Sequence, residues 1–280
     1  MMKTYLFTME YDGTAFSGWQ KQEGRRTVEG TIEDTLEAAL GTKVEIFGTS
    51  RTDAGVHALA QCCSFTADTG IPTEKLPYVL NNYLAKGRYG TSPRVSDVRI
   101  LSAEEKEPGF NARFDCRGKT YEYRMDTGTP SVFRKNYVYY VDGTLDVPAM
   151  NKACEALTGT HDFASFQTSG GTPRKTTVRT VTEARVDLSE ETGEGRVEEP
   201  GFGAAAHSGC GQKDGQRVIF TVTGDGFLYN MVRIMVGTLV EIGLGQRDAA
   251  EMEEIVAAAD RTRAGHTAPP NGLYLKQIYF

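Results

Sequence analysis

The sequence predicts an α+β protein built as two similar α/β lobes with largely antiparallel sheets. Segments in which apolar and polar residues alternate, as in strands, are interspersed with segments whose apolar residues recur at helical spacing. Both kinds of segment occur in each half of the chain, and most connections between them are short. With 280 residues and 39% hydrophobic content, the chain is long enough to bury a large core.

The first half begins with a predicted strand, because apolar and polar residues alternate over Tyr5–Tyr11. The spacing of the apolar residues predicts a helix over Val28–Leu40, with Thr27 as its N-cap and Gly41 as its stop. Further strands are predicted at Lys43–Phe47, Leu59–Phe65, Val95–Leu101 and Thr120–Met125, and a second helix at Thr73–Leu84.

The second half repeats this mixture of elements. Helices are predicted at Val147–Leu157, Phe227–Ile242 and Asp248–Ala259, and strands at Val178–Leu188, Val218–Thr223 and Leu273–Ile278. We place the boundary between the lobes near Gly143, which gives lobes of residues 1–143 and 144–280. Ala85–Arg94 is interpreted as a small insertion. Ser189–Gln216 is rich in Gly and Glu and is predicted to be a surface loop that is dispensable for chemistry.

The charge of the chain is unevenly distributed. The formal net charge is −6, but Asp187–Glu199 alone contributes −5 from six acids and one base, so the other 267 residues together carry −1. Asn111–Lys135 has the opposite bias, with six bases and three acids. Since a locally basic surface can still contact phosphates, the acidic total does not exclude a nucleic-acid partner.

Membrane and secreted classes are not favoured. The longest apolar stretch, Met231–Leu244, is interrupted by Arg233 and Glu241 and falls short of the roughly 18 residues that a bilayer needs. The N-terminus lacks the pattern of a signal peptide. Five cysteines without paired spacing are typical of reduced thiols. The sequence therefore predicts a cytoplasmic protein with no membrane association.

The densest polar cluster, GTSRTDAGVHA, covers Gly48–Ala58 and lies between two predicted strands, where loops often carry function. It presents the carboxylate of Asp53 beside Arg51. The simpler alternative is a turn, because Asp and Gly are the residues that turns prefer.

Other chemistries lack the residues they need. There are only four histidines, and the one close pairing of potential zinc ligands is His207 with Cys210, so no metal site is predicted. Phosphate-binding glycine loops and the local signature of a serine or cysteine nucleophile are also missing. Asp53 is left as the candidate nucleophile.

Six sequence blocks occur together across the chain. They are YDGTAFSGWQKQ (Tyr11–Gln22), SRTDAGVHALAQ (Ser50–Gln61), FNARFDCRGKTYEYR (Phe110–Arg124), LTGTHDFASF (Leu157–Phe166), GFLYNMVRIMVGTLVEIGLG (Gly226–Gly245) and AGHTAPPNGLYL (Ala264–Leu275). In this order, and over essentially the whole length, the chain resembles the tRNA pseudouridine synthase A family.

The resemblance implies a role for five residues. Asp53 would be the catalytic aspartate, and Arg51 would contact the RNA backbone and help open the target nucleotide. Tyr121 would pack on the target uracil, Arg233 would pair with the aspartate, and Leu273 would line the pocket.

The resemblance also implies the pseudouridine synthase fold, two lobes with an active-site cleft between them. The family works as a homodimer without a metal or an organic cofactor. Its substrate is tRNA, in which it isomerises uridines 38, 39 and 40 of the anticodon arm.

Several alternatives stay open. A carboxylate could add to C1′ of the nucleotide or remove a proton from C2′ to give a glycal, and both routes need its ionised form. The chain could instead be a catalytically silent RNA-binding module, or a hydrolase that releases uracil. Tyr121 alone could be a packing residue, and Trp19 could contact RNA or pack inside the protein.

Overall fold

The structure is a computed structural model that describes residues 2–86, 96–170, 176–189 and 215–280. The chain forms two compact units. Unit 1 comprises Met1–Glu122, Thr223–Phe227 and Leu273–Phe280, and unit 2 comprises Tyr123–Val222 and Leu228–Gly272. The division into lobes of residues 1–143 and 144–280, and the cleft implied by the resemblance, stay predictions.

The described residues form a mixed α/β fold, which agrees with the predicted class. The strands are β1 (Lys3–Tyr11), β2 (Phe47–Gly48), β3 (His57–Ala67), β4 (Val98–Lys106), β5 (Gly118–Asp126), β6 (Tyr139–Tyr140), β7 (Gly159–Asp162), β8 (Val178–Leu188), β9 (Arg217–Gly224) and β10 (Leu273–Tyr279). The α-helices are α1 (Val28–Leu40), α2 (Leu76–Lys86), α3 (Val147–Glu155), α4 (Met231–Gly243) and α5 (Glu251–Ala258).

The sheet of unit 1 has the strand order β4-β1-β3-β10. The β4–β1 and β1–β3 pairs are antiparallel, whereas β10 runs parallel to β3 with Tyr274 opposite His57. Phe7 and Phe65 meet edge to face in its core, with ring centroids 4.7 Å apart. Strand β3 is paired on both sides, so it gives firm support to the residues that immediately precede it.

Helix α1 has the predicted bounds and the predicted caps. The Thr27 side chain accepts a hydrogen bond from the Gly30 backbone N–H, and Gly41 follows the last turn in the left-handed region, at φ 74°. These local contacts satisfy backbone groups that a helix leaves open at each end.

Unit 2 is organised around helix α4, which is buried along almost its whole length. Its strands include the sequence β9-β8-β7, in which β7 and β8 are antiparallel, and β6 pairs with β5 in parallel. None of the helices in the described parts of the chain has the length and apolar character needed to cross a bilayer. A cytoplasmic location stays a prediction.

Several predicted elements differ in the structure. Strand β4 covers Val98–Lys106 where Val95–Leu101 is predicted, and helix α2 begins at Leu76 where Thr73 is predicted. The predicted strand Lys43–Phe47 is wrong except for its last residue, since only β2 pairs with β3 and Ile46 N–H instead donates to the Glu33 side chain at 3.5 Å. Helix α4 begins four residues later than predicted, because Asn230 adopts φ 62°, which a right-handed helix cannot include. Most of Ala85–Arg94 and Ser189–Gln216 lies outside the described residues.

Candidate active site

The candidate catalytic residue Asp53 lies in the turn that connects β2 to β3. The turn closes through a hydrogen bond from Val56 N–H to the Asp53 carbonyl at 3.2 Å. The Asp53 side chain is half-buried, and the Arg51 side chain is exposed. The turn that composition suggests is therefore present, and it leaves Asp53 partly accessible to solvent.

The loop after β1 supports this turn from one side. Trp19 N–H donates to the Thr52 carbonyl at 3.0 Å, and the Trp19 indole is 1% exposed, packed against Gly48. The Tyr11 and Thr52 hydroxyls share a hydrogen bond of 2.7 Å in the interior. Trp19 is thus a packing residue inside unit 1, which answers the question that the sequence left open.

A buried amide fixes the residues that precede Arg51. Gln61 is fully buried, and its Oε1 accepts hydrogen bonds from the Thr49 hydroxyl at 2.7 Å and from Cys62 N–H at 3.1 Å. Its Nε2 donates to the Ser50 carbonyl at 2.7 Å. Because a buried polar group is costly to leave without a partner, these bonds hold the main chain before the turn in one position.

Tyr121 lies on β5 in the same unit and is 7% exposed. Its hydroxyl shares a 2.6 Å hydrogen bond with the Ser50 hydroxyl, and its ring meets the Phe227 ring edge to face at 5.2 Å. Burial raises the pKa of the Tyr121 phenol, and the negative charge of Asp53 raises it further, while the Ser50 hydrogen bond offsets part of the shift. The phenol is therefore neutral at physiological pH and lies within the electrostatic influence of the Asp53 carboxylate.

Leu273 begins β10 and is 6% exposed. Since Tyr274 is opposite His57 in the parallel pairing, Leu273 lies level with the end of the Asp53 turn. The imidazole of His57 stacks on the Tyr274 ring at 4.8 Å and its Nδ1 accepts from Gly13 N–H at 3.1 Å. These contacts make His57 a structural residue of the strand start.

Arg233 lies on α4 in unit 2, with a half-buried side chain. Its Nε donates to the Ala268 carbonyl at 2.7 Å, and its Nη1 donates to Asn230 Oδ1 at 2.8 Å. The guanidinium is thus oriented by its own unit. The pairing of Arg233 with Asp53 stays a prediction, since the two residues belong to different units.

The structure brings four of the predicted residues into unit 1, namely Asp53, Arg51, Tyr121 and Leu273. Sequence reasoning missed Ser50, Gln61 and Phe227 as supports of this site. All three fall within the quoted blocks, but no sequence pattern indicates which of them faces Tyr121. Within the described ranges, no group of three or more His, Cys, Asp or Glu side chains could hold a metal ion.

Comparison with known proteins gives a consistent result. The family model described as tRNA pseudouridine synthase matches residues 8–101 and 153–280. The chain is 40% identical to tRNA pseudouridine synthase A 2 of Clostridium tetani over 283 residues, and 38% identical to tRNA pseudouridine synthase A of Acetivibrio thermocellus over 280 residues. A relative of the same name from Brevibacillus brevis is 40% identical, and in all three pairs the whole of both chains is covered. This chain belongs to the tRNA pseudouridine synthase family, whose members are isomerases that convert uridine to pseudouridine.

Proposed function

We propose that this enzyme isomerises uridine to pseudouridine at positions 38, 39 and 40 of the tRNA anticodon arm, with Asp53 as its catalytic carboxylate. The observation that carries the proposal is the turn that presents Asp53, backed by buried hydrogen bonds on both sides and neighboured by a neutral tyrosine. In the proposal Tyr121, Arg51, Arg233 and Leu273 bind the substrate.

The reaction breaks the C1′–N1 bond, turns the uracil and joins C1′ to C5, while C5 loses a proton and N1 gains one. In the proposal the neutral Tyr121 hydroxyl relays the C5 proton, accepting it as it passes its own proton to the Asp53 carboxylate. The Asp53 carboxylate acts in its ionised form, either by adding to C1′ or by taking a proton from C2′. The target base must first leave the helical stack, which costs a few kcal/mol. Stacking on the Tyr121 ring offsets part of this cost, and exposed Arg51 contacts the backbone phosphates of the opened nucleotide.

Two other functions remain to be separated from this one by experiment. A silent RNA-binding module would bind tRNA and leave it unchanged. A hydrolase that used the same aspartate would release free uracil and leave an abasic site. Glycoside hydrolysis usually employs two carboxylates.

The test uses tRNA transcripts that carry uridine at position 38, 39 or 40, together with transcripts that carry cytidine at all three positions. The wild-type protein is incubated with each transcript, and the product is read by nucleoside mass analysis and by chemical tagging specific to pseudouridine. We expect a product of unchanged mass, tagged only where uridine stands at the three positions. Tagging elsewhere would refute the site assignment, and free uracil or unmodified tRNA would support the hydrolase or the silent module.

The proposal also takes the enzyme to be a cytoplasmic homodimer that needs no metal or organic cofactor. Chelator-treated and dialysed protein should retain its rate, and light scattering should give the mass of two chains. A monomer with full activity would remove the dimer from the proposal without affecting the chemistry.

Gly18→Ala is expected to lower the rate of pseudouridine formation about tenfold or more. Gly18 has φ +90°, and an added Cβ would stand 2.8 Å from the Thr52 carbonyl, next to Asp53. Accommodating it displaces the catalytic turn, and displacements of about 1 Å can reduce rates by around 100-fold.

Gly24→Ala is the matched control for this substitution. Gly24 also has a left-handed φ, +69°, but its added Cβ meets nothing within 4 Å. Both variants therefore carry backbone strain of about 1–2 kcal/mol, seen as a lower melting temperature. Only Gly18→Ala should lose activity. Equal rates for the two variants would show that contact with Thr52 does not matter.

A further inference from the structure

We propose that Ser50 is a positioning residue, which fixes the direction of the Tyr121 hydroxyl toward the substrate. The inference rests on the proposed function and extends it to a residue outside the Arg-Thr-Asp motif. Ser50 is 8% exposed, and its Oγ lies 2.6 Å from the Tyr121 Oη, so the two hydroxyls share a short hydrogen bond in the interior.

The position of Ser50 is itself tightly held. The Ser50 carbonyl accepts from Gln61 Nε2, and the preceding residue, Thr49, donates its N–H to the Cys62 carbonyl on β3 and its hydroxyl to Gln61 Oε1. The Ser50 Oγ is therefore a fixed point against which the phenol can be oriented, because the main chain behind it cannot shift without breaking these bonds.

The Tyr121 ring is likewise restrained by its edge-to-face contact with Phe227, but ring packing leaves the hydroxyl hydrogen free to rotate. A neutral phenol has one hydrogen and acceptor lone pairs. Since burial and Asp53 keep the Tyr121 pKa raised, the group stays neutral. The Tyr121 hydroxyl uses one of its hydrogen-bonding positions for Ser50. Its remaining position is directed away from Ser50 and is available to the uracil.

The consequence is a specific kinetic signature. Ser50→Ala should slow the chemical step about threefold to tenfold, the effect of losing one oriented hydrogen bond. Binding of tRNA and KM should not change, because Ser50 is buried and does not itself contact RNA.

The experiment compares single-turnover rates of pseudouridine formation in two backgrounds, with and without Tyr121→Phe. Thr120→Val is the control, since Thr120 precedes Tyr121 on β5 and its hydroxyl bonds to Thr223 and Tyr279 instead. If Ser50 acts through the phenol, Ser50→Ala slows the Tyr121 enzyme but has less than about a twofold effect beside Tyr121→Phe. Equal slowing in both backgrounds, or no slowing in either, overturns the proposal.

A second measurement does not depend on activity. Protein labelled with ¹³C at tyrosine Cζ gives a resonance for Tyr121, assigned by its loss in Tyr121→Phe. Ser50→Ala should shift this resonance, and Thr120→Val should leave it in place. An unmoved resonance in Ser50→Ala overturns the hydrogen bond. Wild-type protein that forms no pseudouridine would instead refute the proposed function, which the rate assay shows separately.

Discussion

Asp53→Asn is expected to bind tRNA as tightly as the wild-type enzyme and to form no detectable pseudouridine. Many Lys and Arg contacts to phosphate together determine the affinity for tRNA, so a single carboxylate contributes little to it. Removing a negative charge from the binding surface could only tighten binding slightly. Catalysis has no such redundancy, because both proposed routes begin with the ionised carboxylate of this residue.

The fold should tolerate this substitution. Asparagine is nearly the same size as aspartate, and the turn is held by main-chain contacts, namely the Val56–Asp53 bond and the bond from Trp19 to the Thr52 carbonyl. Asparagine favours the same turn conformations as aspartate. The melting temperature should therefore change little, which separates a chemical defect from a folding defect.

The measurement pairs tRNA binding by filter retention with pseudouridine formation on the same preparation. Asp34→Asn is the control, since Asp34 is exposed on α1 in the same unit and its loss removes the same charge away from the turn. Asp53→Ala is included because asparagine can revert to aspartate by deamidation. Product from Asp53→Ala or Asp53→Asn at even a tenth of the wild-type rate would contradict the assignment of the catalytic carboxylate.

Elements with local end signals were predictable from the sequence. Helix α1 has its predicted bounds because Thr27 and Gly41 are caps that act within one turn of the helix, and β8 also has its predicted bounds. Apolar and polar residues also alternate over most of Lys43–Phe47, yet the Ile46 N–H bonds to the side chain of Glu33 on helix α1. This contact depends on how the helix packs, and the local sequence does not indicate it. The late start of α4 depends on the backbone of one residue, Asn230.

The candidate site likewise has features that the sequence predicts and features that only the structure shows. The motif around Asp53 and the resemblance to a family were visible in the sequence, as was the Tyr121 position in its block. The bond between Ser50 and Tyr121 joins residues 71 positions apart, and the contact of Tyr121 with Phe227 joins residues still farther apart in the chain. Which buried hydroxyl meets which phenol is decided by the packing of strands, and so only the structure reveals these supports.

Tyr121→Phe is expected to keep tRNA affinity and to slow pseudouridine formation by about 100-fold, the lower end of what proton transfer by a positioned group contributes. The ring and its contact with Phe227 remain, but the neutral hydroxyl that relays the C5 proton in the proposed reaction is gone. Tyr121→Ala should in addition weaken tRNA binding roughly tenfold or more, because a base stacked on an aromatic ring contributes about 1–3 kcal/mol.

Tyr5→Phe is the control for losing a buried phenol elsewhere, since Tyr5 is 1% exposed and packs on Phe65 in the core of unit 1. It should retain the wild-type rate.

The pH dependence of the wild-type rate adds an independent check. Burial and the Asp53 charge raise the Tyr121 pKa above its ordinary value of 10, so the wild-type rate should show no loss from phenol ionisation as the pH rises to 10. A Tyr121→Phe enzyme as fast as wild type would eliminate the hydroxyl from the chemistry and leave Tyr121 only the stacking role. A fall in the wild-type rate below pH 10 caused by ionisation of Tyr121 would mean that the phenol is less buried, or farther from Asp53, than the structure indicates.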